Sequence, residues 1–511
     1  MLSVPLYVEG LRTRPALVFA LATLAQAALW VLVPMVFYAA PPGDLPQVLA
    51  IGRQFPLRGE FGPPLAYWLA EAAFRVGGLF AVYLLAQICV VTTYACVFLL
   101  GSAIVGATHA AMAVLMMTGI SVFTVPTPDF GPPLLTAALW ALLLLHYWRA
   151  VMQKQRVSWF VLGAAAALLL ATSAVAVILI GLVIVFTAST ARGRASLRGN
   201  EPIMVGIALV CFLFLHIFWL SAPGDRLLPA LDRLRDADTA GGNTAAWLRL
   251  LAGLVIAHAG LAILVVLASG WPRTFGQAPV FVRAPIENFA GTYVKTFAFA
   301  PALAATITAV LFGARVPIGG FAPLLVLSGL AVIVAAGERI TLHHPRIVGY
   351  AWAGLLIVPV IFVPIVIAVL PWATATDLKV AQPAGAMGRF FAESFERRTG
   401  RPLAIVSGDE TVAALVAVGA PSRPSVYFAA EPARSPWVTA QDIAAQGAVV
   451  VWPATETSAE PPPAVKERFP GLVAEVPKTF DRPVRGRLPP LRIGWGMIRP
   501  GSSGAGAAKA P

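Results

Sequence analysis

Long uncharged stretches set the pattern of this chain. Residues 15–43 carry no charge, and Asp129 is the single Asp, Glu, Lys or Arg between Val76 and Trp148. A helix that crosses a bilayer needs about 20 mostly apolar residues. Further uncharged runs cover residues 157–191, 202–224, 250–272, 296–314, 316–337 and 347–376. The pattern predicts a polytopic α-helical membrane protein with about eleven transmembrane helices.

Two stretches refine this prediction. The run 157–191 is broken near Thr172 and Ser173, which predicts a pair of short helices. The segment 41–78 has amphipathic helical patterning but is too polar to span, so we expect it to lie along the outer interface. The chain then enters the membrane again near Leu79. No small-residue cleavage site follows the first apolar run, so we expect that helix to be retained.

After Pro371 the charge returns and the apolar runs shorten to strand length. Residues 384–399 predict an amphipathic helix that ends at Gly400. A buried strand at 403–408, a helix capped by Asp409 and two further strands at 424–428 and 448–452 predict a small α/β layer. The expected domains are a transmembrane domain (1–375), an extracytoplasmic α/β domain (376–500) and a disordered tail (501–511).

Composition and charge support a membrane protein and exclude other classes. Hydrophobic residues make up 58% of the chain and charged residues 12%, about half the usual share for a soluble protein. The net charge of +13 is therefore assigned to membrane topology, and no nucleic-acid partner is expected. The three cysteines, Cys89, Cys96 and Cys211, lie inside apolar runs and are interpreted as core residues.

The basic residues predict the orientation. Clusters at 12–14, 149–156 and 192–198 follow the rule that Lys and Arg favour cytoplasmic loops. That places Asp44, Glu60, Asp129 and the C-terminal domain outside, in a multi-pass membrane protein.

Two acids at this outer edge are candidate functional residues. Asp44 follows the first apolar run, and Asp129 lies in a proline-bracketed turn before the fourth. A carboxylate close to the hydrocarbon layer is costly, so such a residue is a functional candidate by default. The alternative is that each acid only caps a helix start.

Around these acids the sequence resembles glycosyltransferase family 39, a family of the GT-C class. Its relatives include the lipid A aminoarabinose and galacturonic acid transferases and the protein O-mannosyltransferases. An acid after the first helix precedes by nineteen residues a Pro-Pro pair that leads into an aromatic helix. The matching residues are Asp44, Pro63, Pro64, Leu65, Tyr67, Trp68 and, as a second motif, Thr127, Pro128 and Asp129.

The resemblance implies roles for particular residues. Asp44 would be the catalytic base that takes a proton from the acceptor hydroxyl, and Asp129 would support the acceptor or the base. Arg53 and Arg58 could hold the departing phosphate, or they could simply contact lipid headgroups. The chain departs from the family at Leu45, where a second acid is usual, and at 61–62, where Phe-Gly replaces an acid and a base. Glu60 lies one position early and could substitute.

Two other polar groups invite a functional interpretation. Residues 337–349 contain His343 and His344 beside arginines and could bind phosphate or a metal, although a cytoplasmic basic loop is the simpler interpretation. Residues 408–410 end a predicted strand and could mark a ligand site, although a helix cap is the commoner use of such a turn. No cofactor is expected, and nothing in the sequence supports a divalent metal.

Together with these features, the resemblance implies a membrane glycosyltransferase of the inverting type in a bacterial inner membrane. Its donor would be a sugar on a polyprenyl phosphate, and its acceptor lipid A, another envelope glycan, a lipid or a protein. The resemblance supplies the donor. The alternatives are a transporter or flippase of a lipid-linked substrate and an inactive relative that serves as a binding partner.

Overall fold

The structure is a computed structural model, and it describes residues 6–56, 61–124, 129–220, 242–270, 278–312, 320–432, 434–454, 460–469 and 472–501. Arg58, Glu60, Thr127, Pro128 and nearly all of the expected tail therefore lie outside the described residues.

Helices make up most of the first 373 residues, and helices and strands both occur after them. The helices are α1 (Leu6–Thr13), α2 (Pro15–Phe37), α3 (Leu45–Gly52), α4 (Leu65–Val105), α5 (Ala107–Met117), α6 (Pro132–Val151), α7 (Arg156–Leu170), α8 (Ala176–Ser189), α9 (Ala191–Ser196), α10 (Pro202–Leu220), α11 (Gly242–Ala257), α12 (Ala259–Ser269), α13 (Asn288–Phe312), α14 (Ser328–Ala335), α15 (Pro345–Ala373), α16 (Ala384–Thr399), α17 (Glu410–Gly419), α18 (Ala440–Gln446) and α19 (Pro463–Arg468). The strands are β1 (Val280–Val282), β2 (Arg339–Thr341), β3 (Ile405–Gly408), β4 (Ser425–Phe428), β5 (Ala448–Pro453), β6 (Ala474–Phe480) and β7 (Leu491–Ile498).

Every apolar run of the sequence contains a helix, so the chain is a multi-pass helical membrane protein. Within the described ranges, five helices are long and apolar enough to cross a membrane: α2, α4, α6, α13 and α15. The pair α11 and α12, bent by 47°, adds a sixth if it forms one span. Shorter apolar helices fill the other runs, including the predicted pair α7 and α8. The number of eleven crossings stays a prediction.

The chain divides into two compact units. Unit 1 comprises Met1–Leu32 and Tyr83–Ile361, and unit 2 comprises Val33–Val82 and Phe362–Pro511. In unit 1 an aromatic core joins α6, α8 and α13: Tyr147 stacks on Tyr293 at a centroid distance of 5.8 Å, and the Tyr293 hydroxyl donates to the Leu144 carbonyl at 2.7 Å. A short antiparallel pair, β1 and β2, also belongs to this unit.

Unit 2 is built on a five-stranded mixed sheet of order β4-β3-β5-β7-β6. Strands β4, β3 and β5 are parallel, β7 is antiparallel to β5, and β6 is antiparallel to β7. The two predicted helices and three predicted strands are present as α16, β3, α17, β4 and β5, and α16 ends at Gly400 as expected. Helix α18, between β4 and β5, was not predicted. Strands β6 and β7 were not predicted. The segment 33–82 joins this sheet in the same unit, for example through the Ala39 N–H, which donates to the Val380 carbonyl at 2.8 Å.

Candidate active site

Asp44 stands at the N-cap position of α3, yet its side chain makes no cap hydrogen bond. The residue is exposed. An aspartate that serves only as a cap places a carboxylate oxygen on the N–H of the second or third helical residue. Asp44 does not, so its carboxylate oxygens remain available to a substrate hydroxyl.

Tyr67 is an aromatic residue on which the charge of Asp44 acts. It lies in the part of α4 before a break at Gly77 and Gly78, and residues 79–105 alone are long enough to cross a bilayer. Burial, and secondarily the negative charge of Asp44, raise the pKa of Tyr67 to about 12. Tyr67 therefore stays protonated at neutral pH, and its hydroxyl donates to the Phe61 carbonyl at 2.9 Å.

The Pro-Pro pair starts the aromatic helix. Pro63 and Pro64 are buried and directly precede α4, and the Trp68 N–H donates to the Pro64 carbonyl at 3.0 Å. Proline suits this position because the first helical N–H groups have no intrahelical acceptor. The two prolines thus set where α4 begins and where Tyr67 lies.

Helix α3 packs closely on this part of α4. A β-carbon placed on Gly52 would lie 2.3 Å from the Tyr67 carbonyl oxygen and 3.2 Å from the Glu71 β-carbon. Only glycine fits such an approach. The contact holds the helix that carries Asp44 against the helix that carries Tyr67.

Arg53 is not near Asp44. The two residues flank opposite ends of α3, which at 1.5 Å per residue separates them by about 12 Å. The Arg53 guanidinium donates instead to the Ser422 carbonyl at 3.4 Å. Of the two arginines predicted to hold the phosphate, Arg53 is thus engaged elsewhere and Arg58 lies outside the described residues.

Glu71 is a buried acid that the sequence argument missed. Its side chain is 2% exposed, and it accepts from Arg423 at 2.7 Å and from Arg75 at 3.0 Å. The Arg423 guanidinium also lies over the Phe74 ring, 4.0 Å from the ring centroid. This ion-pair group ties the amphipathic start of α4 to the turn before β4.

Phe61 gives a structural role to one departure from the family pattern. Its ring lies 5.2 Å from that of Phe428 and 6.4 Å from that of Trp437, measured between centroids. The Arg434 guanidinium lies 5.5 Å from the Phe61 centroid. An aromatic residue here packs against the sheet of unit 2, where the family usually has a charged residue.

Asp129 belongs to unit 1 and is half-buried. The N-cap of α6 is Gly131, so Asp129 is not the capping residue of that helix. Its pairing with Asp44 around one substrate stays a prediction.

The turn 408–410 proves to be a helix cap. Asp409 accepts from the Val412 N–H at 3.0 Å, and Glu410 pairs with Arg434. In the polar island 337–349, residues 339–341 form β2. Within the described ranges, no three His, Cys, Asp or Glu side chains cluster closely enough to share a metal ion.

Comparison with known proteins addresses the family directly. Residues 62–219 match the family profile described as dolichyl-phosphate-mannose-protein mannosyltransferase. This part of the chain is therefore similar to glycosyltransferase family 39. The family 39 match contains Pro63, Pro64, Tyr67 and Asp129, whereas Asp44 precedes it.

Solved structures extend the comparison to the fold. ArnT from Cupriavidus metallidurans bound to undecaprenyl phosphate superposes with a TM-score of 0.59 at 13% identity, over 97% of this chain and 99% of that one. The apo form of that protein gives 0.48 at 13% identity, over 94% and 97%. The apo oligosaccharyltransferase of Archaeoglobus fulgidus gives 0.44 at 13% identity, over 81% and 64%. The similarity to the ArnT structure with bound undecaprenyl phosphate shows that this chain has a GT-C fold. No curated protein sequence matches the chain.

Proposed function

We propose that this protein transfers a sugar from a polyprenyl phosphate to an envelope acceptor at the outer face of a bacterial inner membrane. The acceptor would be lipid A, another glycan, a lipid or a protein. The proposal rests on the family 39 match and on one observation: Asp44 is exposed, and its side chain makes no helix-cap hydrogen bond. The ArnT structure with the same fold is described as bound to undecaprenyl phosphate, which fits a carrier of that class.

The proposed reaction is a single displacement with inversion. The Asp44 carboxylate takes the proton of the acceptor hydroxyl as the acceptor oxygen bonds to the sugar C1. The bond between C1 and the phosphate oxygen breaks, and its electron pair leaves with the polyprenyl phosphate. Cations must stabilise that leaving phosphate. Because Arg53 donates to the Ser422 carbonyl, Arg58 is the better candidate of the two.

The neutral Tyr67 would shape this site. Its hydroxyl donates to the Phe61 carbonyl, which holds the buried ring in one orientation. Asp129, if it approaches the same substrate, would accept a hydrogen bond from the acceptor. The flippase alternative would require charged groups near the midplane on broken, repeated helices. The candidate acids lie instead at the ends of apolar runs.

An assay in vesicles separates the candidate functions. Purified protein in liposomes would receive polyprenyl phosphate carrying radiolabelled aminoarabinose, galacturonic acid or mannose, together with an envelope lipid extract. We expect label to move covalently to an acceptor, with release of polyprenyl phosphate. Movement of intact donor between leaflets without covalent transfer would support the flippase. Neither movement nor transfer with any donor would support the inactive relative.

A further inference from the structure

A polar cavity lies in unit 1, among residues that the proposed reaction does not use. Its volume is about 450 Å³, and its lining includes Arg12, Thr108, His109 and Arg283. Strand β1 forms one wall, where the Arg12 guanidinium lies 5.4 Å from the centroid of the Phe281 ring. Four structural elements (α1, α4, α5 and β1) and the loop after β1 line this cavity, and two of its lining side chains are cationic.

Arg283 is buried without a counter-charge. The residue is 8% exposed, and its guanidinium donates to the carbonyls of Ala284 and Val334 at 3.3 and 3.4 Å. Its Nε–H has no acceptor. Within the described residues, neither Arg283 nor Arg12 forms a salt bridge. A buried cation without an anionic partner costs several kcal/mol, so the cavity is electrostatically suited to an anion.

The start of α5 adds hydrogen-bond donors that also favour an anion. Its N-cap is Gly106, which has no side chain to cap the helix, so the first N–H groups have no side-chain acceptor from the N-cap residue. Such a helix start favours an anion. His109, in this first turn, is 3% exposed, and its Nε2 has no hydrogen-bond partner. The hydroxyl of Thr108 lies on the same turn.

We propose that this cavity binds a phosphate group. Two guanidinium groups and a helix N-terminus match the charge of a phosphate, and Thr108 and His109 supply further donors. The cavity also has room for a substituent on the phosphate. Arg12 precedes α2 whereas Asp44 follows it, so the predicted topology places this site on the cytoplasmic side, away from the proposed transfer chemistry.

Two kinds of phosphate ligand fit this part of unit 1, because an apolar cavity adjoins the same helices. An apolar cavity of about 910 Å³ is also lined by α1 and α5, through Leu11 and Met112 among others. Leu11 adjoins Arg12, and Met112 lies one turn after His109. A phospholipid could therefore place its headgroup phosphate beside Arg283 and its chains against α1. Free phosphate would use the polar cavity alone.

Calorimetry on the full-length protein in detergent tests the site with two probes, inorganic phosphate and dihexanoyl phosphatidic acid. We expect saturable binding that is weakened at least tenfold by Arg12→Gln and by Arg283→Gln. Arg339→Gln, an exposed arginine on β2 that does not line the cavity, is the matched control and should bind as wild type does. Because Arg12 is exposed, its substitution leaves the fold intact even if that of buried Arg283 does not.

The two probes distinguish the sources. Equal affinity for both indicates a free phosphate ligand, and tighter binding of phosphatidic acid indicates a lipid headgroup. The proposal is overturned if the wild type binds neither probe, or if Arg339→Gln loses as much affinity as Arg12→Gln. The second result would mean that general positive charge, not this cavity, attracts the anion.

Discussion

Glu71 forms ion pairs with two arginines of unit 2, Arg75 and Arg423. It is a fully buried carboxylate with two arginine partners, one of them 352 positions later in the chain. Removing one member of a buried ion pair leaves the other charge without compensation and is much more costly than losing an exposed pair. The Glu71–Arg423 contact should therefore control how firmly the segment that carries Asp44 and Tyr67 is held in unit 2.

We predict that Glu71→Gln lowers the free energy of unfolding of unit 2 by about 3 kcal/mol, because Arg423 is left buried and unpaired. The matched control is Arg75→Gln. Arg75 is 57% exposed, so that change should cost less than about 1 kcal/mol. Pulse proteolysis of the full-length protein in urea measures both. Equal losses of unfolding free energy for the two variants would show that the buried Glu71–Arg423 pair stabilises unit 2 no more than the exposed Arg75 does.

The sequence identifies some of these residues and hides others. Asp44 and Tyr67 were both selected from the family motif, and the charge of Asp44 contributes to the raised pKa of Tyr67. Glu71 was missed because an acid in an amphipathic stretch normally faces solvent, and nothing local indicates that Arg423 will pair with it. The role of Arg53 stays a prediction, although α3 separates it from Asp44.

Helix α4 is broken at Gly77 and Gly78, between its amphipathic start and its apolar part. Its 41 residues would extend about 60 Å, twice the thickness of the hydrocarbon core. The break at Gly77 and Gly78 divides it into the amphipathic start and an apolar helix that begins at the predicted re-entry point, Leu79. Gly78 has φ of +60° and ψ of −148°, a conformation that is open essentially to glycine alone.

We predict that Gly78→Ala strains this break and lowers the unfolding free energy by about 1–3 kcal/mol. Gly77→Ala is the control, because Gly77 has a negative φ of −151°. Unfolding of both variants in detergent, followed by proteolysis, gives the comparison. If both substitutions are equally tolerated, the break does not depend on the backbone of Gly78.

Element types were predictable where the pattern was long or regular. The apolar runs predicted the membrane helices, and capping residues fixed α16 and α17. Strands β6 and β7 were not predicted because their residue types are not typical of strands. Strand β6 contains Pro477 and charged residues, as an edge strand can, while β7 contains Gly494 and Gly496, which lower strand propensity.

At the scale of the whole molecule, the fold is that of the GT-C class, and the orientation is a prediction from charge. A reporter enzyme fused after Lys379 should be active outside the cytoplasm. The reason is that the basic clusters at 149–156 and 192–198 favour the cytoplasmic side. A fusion after Arg198 serves as the cytoplasmic control. Cytoplasmic activity of the Lys379 fusion would mean that the number of spans is wrong.

The fold leaves the choice of substrate open, because related architectures carry different chemistries in their sites. The similarity to ArnT at 13% identity fixes the architecture, and the acceptor depends on side chains that differ between such proteins.

The most direct test of the account is the transfer rate of Asp44→Asn with the donor that the wild type accepts. If Asp44 is the base, the rate should fall by about 10²–10⁴-fold while donor affinity stays unchanged, because the amide keeps the shape but cannot take the proton. Asp481→Asn, an exposed carboxylate in the same unit, should react as the wild type does. Transfer by Asp44→Asn at the wild-type rate would contradict the assignment of this carboxylate as the catalytic base.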